Sequence, residues 1–146
     1  MRMGRVALGL IVLVSASWCV DLQQARAEPN LEKRARLALE NAATRLQAAR
    51  EAYQKDDTAG VSANAAELQE SVDLAFTSLN ETHKDPRRSP KWFKYAEIQT
   101  RDLLRKLDTF QRDMSFQDRG LLEKVKEDVQ QVHDKLLLGL MEGKPK

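Results

Sequence analysis

From position 31 to position 140 the apolar residues recur every three or four places, which is the period of one helix face, and nowhere do they alternate in the two-residue rhythm of a strand. The spacing predicts four helices. In the first, over residues 30–55, Leu31, Ala35, Ala38, Ala42, Leu46, Ala49 and Tyr53 form one stripe, after Pro29 and Asn30, which suit a helix start. A second stripe, over 58–84, runs through Val61, Ala65, Leu68, Val72, Ala75, Phe76 and Leu79, and Asp56, Asp57 and Gly60 supply the turn and cap between the two.

Ser89 as cap and Pro90 at the first helical position announce a third helix over 90–114, with Phe93, Ala96, Thr100, Leu103, Leu107, Phe110 and Met114 as its stripe. Its outer face carries acid-before-base pairs four apart, such as Glu97 with Arg101 and Asp108 with Arg112, and belongs in water. A fourth helix, over 116–142, is expected to start from a capping box of Ser115 and Asp118 and to bury Leu122, Val125, Val129, Val132, Leu136 and Leu140. Four stripes joined by short links predict an all-α chain folded as an antiparallel four-helix bundle, two helical hairpins in up-down-up-down order. Ala49, Tyr53 and Asp57 faintly resemble a tetratricopeptide junction, but no 34-residue repeat follows. A hairpin pair completed only as a homodimer is the stronger rival.

The N-terminus reads as an address. Two arginines stand in residues 1–5, residues 6–20 are apolar apart from Ser15 and Ser17, and Ala25-Arg26-Ala27 places small residues at −3 and −1 of a cut. This is the order of a secretory signal peptide, 1–27, cleaved after Ala27, which leaves 28–146 as a single domain exported to the periplasm or beyond the cell. The apolar run falls short of the ~20 residues that span a bilayer, so no transmembrane segment is expected after cleavage. Trp18 stands where lipid attachment at Cys19 would want a small residue.

Cleavage would remove the excess charge and the only cysteine, leaving 21 basic against 21 acidic side chains among 119 residues. A near-neutral exported chain is not a general nucleic-acid binder, and it has neither disulfide nor thiolate with which to supplement its packing.

Chemistry is sparse. His83 and His133, fifty residues apart, lack the spacing that puts two ligands on one helix face, so both read as structural and no metal or other cofactor is expected. Met114 or Met141 with a histidine is the residue set for the competing reading, a haem, metal or small-ligand carrier using the bundle core; core filling is the simpler role. The carboxylates mostly pair with a base one turn away, Ser71, Ser78, Ser89 and Ser115 have no histidine or glycine-rich elbow beside them, and no phosphate-cradling loop exists. The sequence therefore points away from an enzyme.

One stretch stands out. Residues 84–95 hold Lys84, Arg87, Arg88, Lys91 and Lys94 together with Trp92, Phe93 and Tyr95, a composition suited to anions beside an apolar or stacking surface. In the expected bundle this connection shares one pole with segments 28–36 and 139–146, and the three carry +5 in side chains, against −3 for segments 51–58 and 108–119 at the other. Arg87, Arg88, Lys91, Trp92, Lys94 and Tyr95 are therefore the expected binding residues. An anionic surface or an acidic protein is the expected partner.

Overall fold

The computed structural model describes residues 21–144; residues 1–20, with the basic start and apolar run of the expected signal, and residues 145–146 lie outside the described residues. The described chain is all-helical, with four long helices packed against one another. A short α1 (Leu22–Ala27) precedes α2 (Leu31–Gln54), α3 (Thr58–Glu81), α4 (Lys91–Asp113) and α5 (Glu123–Glu142).

Two starts are capped as their sequences require. Asn30 accepts the Lys33 N–H at 2.9 Å through its side chain, and Asp57 does the same for Gly60. The other two differ from expectation. Ser89 makes no cap bond: α4 begins one residue late, its first carbonyl partner being Pro90, because Ser89 is held in a turn by the carbonyl of Asp85. Nor does the fourth long helix start at 116; a 3₁₀ turn, Arg119–Leu122, comes first. Asp118 there accepts the hydroxyls of Ser115 and Tyr53 at 2.8 and 3.1 Å, so its carboxylate is engaged away from the helix end that a capping box would serve.

Each hairpin is antiparallel. Asn41 meets Ser71 and Arg45 meets Glu67 across α2 and α3, while Asp108 meets Lys126 and Glu97 meets His133 across α4 and α5. The hairpins then lie side by side with like directions adjacent. Arg50 and Asp113 join the far ends of α2 and α4 at 3.1 Å, and α3 packs along α5, where Lys135 sits over Phe76. The order around the bundle is thus α2, α3, α5, α4, and the α3–α4 connection crosses a diagonal at the pole where α2 begins and α5 ends.

All seven positions of the expected α4 stripe are buried, as are Val125, Val129, Val132 and Leu136 of α5. Each fully buried leucine or valine contributes ~1.5–3 kcal/mol of apolar transfer, so these stripes hold the bundle together. Helix α2 is buried more widely than its stripe: Leu37, Leu39 and Asn41 are also covered, because α1, α3 and α4 surround it. That third cover was not expected. Asp21 caps α1 through the Gln24 N–H, Leu22 and Ala25 share its inner face, and Arg26 reaches Glu70 of α3 at 3.1 Å, so the residues just before the expected cut lie packed on the α2–α3 hairpin.

Candidate functional site at the basic pole

The connection between α3 and α4 is built from its own short bonds. His83 takes a left-handed conformation (φ 56°) to end α3, a position where histidine is tolerated better than most side chains. Asp85 then accepts the Arg87 N–H on its side chain at 2.9 Å and the Arg88 and Ser89 N–H groups on its carbonyl. Lys84 is tied back to Glu32 at the start of α2.

Two glycines of α5 let this turn settle on the bundle end. A Cβ at Gly139 would stand 3.3 Å from Pro86 Cγ, and one at Gly143 would stand 3.1 Å from Arg87 Cδ. Gly143 also carries the left-handed φ of 81° that terminates α5. The structure therefore brings the connection, the start of α2 and the end of α5 together at one pole.

Among the sequence-selected residues, Arg87, Arg88, Lys91 and Lys94 are exposed and have no carboxylate partner among the described residues. The contrast is with α1, α2 and α4, where every arginine faces a carboxylate; Arg119 of the 3₁₀ turn, at the other pole, instead reaches the Arg112 carbonyl and the Phe116 ring. Trp92 and Tyr95 sit differently. They are half-buried against the core, edge to face at 5.8 Å, with Lys91 over the Trp92 ring at 5.0 Å. Tyr95 packs against the core near the start of α4, and burial, then the nearby Glu40 carboxylate of α2, pushes its phenol above its ordinary range.

The apolar part of the pole comes instead from α5. Leu137, Leu138 and Met141 are 41, 53 and 68 % exposed on the last turns of α5, and of the three only Leu138 lies with Pro86 and the two glycines around one cleft. Isolated exposed apolar residues need no explanation, but three on the last turns of one helix add apolar surface to the pole that carries the unpaired cations.

No family model, curated protein or solved structure matches this chain.

A cleft of about 670 Å³, reached by Leu138, lies between the ends of α3 and α5, which the sequence did not disclose. Phe76, Phe93, Leu136 and Pro86 form its apolar walls, and His83, Lys84, Lys135 and Lys144 stand around it against a single carboxylate, Glu142. Its residues come from three separated segments, so only the third dimension assembles it. Spacing carried one trace of it: Phe76 follows Ala75 on the α3 stripe and cannot share its inward direction.

The remaining candidates are accounted for locally. His133 is mostly buried with its Nε2 3.1 Å from Glu97 Oε1, an α4–α5 contact, while His83 belongs to the connection. Met114 is buried at the end of α4, at the pole opposite Met141. Among the described residues no three His, Asp or Glu side chains are grouped to hold a metal ion, and no helix is long and apolar enough to cross a membrane.

Proposed function

We propose that this chain is an exported, non-enzymatic helical-bundle protein of the cell envelope that docks on anionic lipid surfaces through its basic pole. The observation that carries the reading is the gathering at one pole of Arg87, Arg88, Lys91 and Lys94, none with a carboxylate partner among the described residues, on a bundle whose α1, α2 and α4 arginines are matched to carboxylates. Cations held on a rigid connection with no internal partner are free for an external anion, and each contributes ~1 kcal/mol near an anionic membrane. Exposed Leu137, Leu138 and Met141 at the same pole favour a lipid interface over a purely polar polyanion, since apolar side chains gain by entering the headgroup region.

Export rests on the sequence of residues 1–27. Signal peptidases cut extended chain, so cleavage after Ala27 would precede folding, and the bundle would close without α1. The pole lies at the other end of α2 from the α2–α3 turn and keeps its residues in either case.

Co-sedimentation with phosphatidylglycerol vesicles tests the docking. The protein should bind these and not phosphatidylcholine vesicles, and binding should weaken steeply as salt is raised, because exposed charges are screened over ~10 Å at 0.1 M. Replacing Arg87, Arg88 and Lys91 together by Gln should abolish binding while helix content and melting stay unchanged. Salt-insensitive binding, or a triple variant that binds as well as the parent, overturns the reading; binding to an acidic protein or polymer but not to vesicles would replace the lipid surface by that partner.

A further inference from the structure

We infer that the cleft at the basic pole is a binding site for a free single-chain amphiphile with an anionic head, such as a fatty-acid-like carboxylate. The inference rests on reading this pole as the binding end of the molecule, but it concerns a separate set of residues: the cleft walls rather than the outer arginines.

Size comes first. About 670 Å³ lies within the ~300–1,000 Å³ typical of small-molecule sites. Two phenylalanines and two leucines, Phe76, Phe93, Leu136 and Leu138, give the lining its apolar character. Such a surface favours a hydrocarbon chain, and it is open at one edge through Leu138, which is half-exposed as though one of its faces awaits a neighbour.

The charge at the rim selects the head. Lys135 and Lys144 are exposed and unpaired among the described residues, and Lys84 adds a third cation although Glu32 already holds it. Lys135 lies over the Phe76 ring at 5.8 Å, so its ammonium stands directly above an apolar wall of the cleft. A head placed there meets the Lys135 and Lys144 ammonium groups, the first partly offset by Asp73 one turn before Phe76, and one lining carboxylate, Glu142. A carboxylate or a singly charged phosphate is favoured; a cationic head is repelled. His83 is held beside this rim by the left-handed end of α3.

Titration calorimetry with dodecanoate below its micelle concentration tests the proposal on the full chain and on the Arg87, Arg88, Lys91 glutamine variant alike. Saturable 1:1 binding is expected in both, tightening ~4-fold for each methylene from decanoate to dodecanoate, the factor that burial of one CH₂ carries. Dodecanol should bind at least 10-fold more weakly, and dodecyltrimethylammonium not measurably. Lys135→Gln with Lys144→Gln should weaken dodecanoate about 10-fold without changing dodecanol, whereas Leu138→Asp should weaken both. Equal affinity for the acid, the alcohol and the cation, or no saturable binding of dodecanoate, overturns the inference. The two readings separate cleanly: a protein that binds vesicles but not dodecanoate loses only the cleft, and one that binds dodecanoate but not vesicles loses only the docking surface.

Discussion

Asn41 Nδ2 donates to Ser71 Oγ at 2.9 Å with neither residue measurably exposed, which places a side-chain hydrogen bond at the centre of the α2–α3 hairpin. Ser71 in turn donates to the Glu67 carbonyl at 2.7 Å, while Asn41 Oδ1 has no partner among the described residues. The two ends of the bond are therefore unequal.

Ser71→Ala leaves the buried Asn41 amide without its acceptor, and a buried polar group so stranded costs ~1–3 kcal/mol. Urea unfolding of Ser71→Ala, Asn41→Ala and the double variant should reveal a coupling of at least ~0.5 kcal/mol between the two sites. Strict additivity would mean that the bond does not form in solution.

On α4 a core position should matter far more than its exposed neighbour. Leu107 is fully buried, and Leu107→Ala should lose ~2–5 kcal/mol through lost burial and a residual cavity. Arg105 lies out in water with only Asp102 beside it, so Arg105→Ala should stay within ~0.5 kcal/mol. Equal urea midpoints would refute the helical register.

The N-terminal helix offers a separate test. A protein beginning at Asp21 keeps Leu22 and Ala25 on the α2–α3 hairpin, whereas one beginning at Glu28 does not. The shorter form should be less stable by ~1–3 kcal/mol, on the scale of burying one leucine, while retaining the cooperative unfolding of the four long helices. Identical midpoints would show that α1 adds nothing to the fold. Export is tested independently: residues 1–30 fused to a reporter should direct it across the membrane with a new N-terminus at Glu28, and a product that still begins at Met1 would sink that proposal.

What was legible in the sequence follows from the range of the interactions concerned. Stripes of Leu, Val and Ala at helical spacing report burial directly, and every position expected on α4 is indeed inside. Asn30 and Asp57 cap their helices because a cap bond spans three residues and is written locally. Ser115 and Asp118 carry the same local pattern, yet Tyr53, more than sixty residues away, competes for Asp118 and moves the helix start. Composition identified the cations of the 84–94 stretch, and spacing gave local pairs such as Arg101 with Glu97, but partners such as Glu70 for Arg26 or Asp113 for Arg50 are supplied only by packing. The order of the hairpins around the bundle was likewise beyond periodicity, since a stripe says that a face is buried and not against which helix. The cleft depends on that order, as Phe76 and Leu136 become its walls only when α3 lies beside α5.

Acid should act in opposite senses on two carboxylates. Asp73 of α3 is pushed above the usual carboxylate range, first by desolvation and then by the Asp128 carboxylate on α5, with Lys135 opposing and Glu70 adding to the rise. A raised native pKa means stability that is present below the unfolded value of ~3.9 and lost as pH rises through the native one. At pH 7 Asp73 is therefore a liability. Asp73→Asn should melt higher than the parent at pH 7, and the advantage should shrink as pH falls into the carboxylate range. Asp102 is the reverse case: hydrogen bonds from Lys106 and then Arg105 hold its carboxyl below the usual range, so its contribution is present above ~3.9 and lost as pH falls through the lowered native value. Asp102→Asn should melt slightly lower at pH 7, by no more than ~1 kcal/mol because the pair is solvent-screened, and this deficit should also close in acid. Thermal melts of the three proteins from pH 7 to pH 3 check both signs at once. The two variants should bracket the parent at neutral pH and converge on it in acid; an Asp73→Asn protein that melts below the parent at pH 7 would show that Lys135 outweighs Asp128 across the α3–α5 contact.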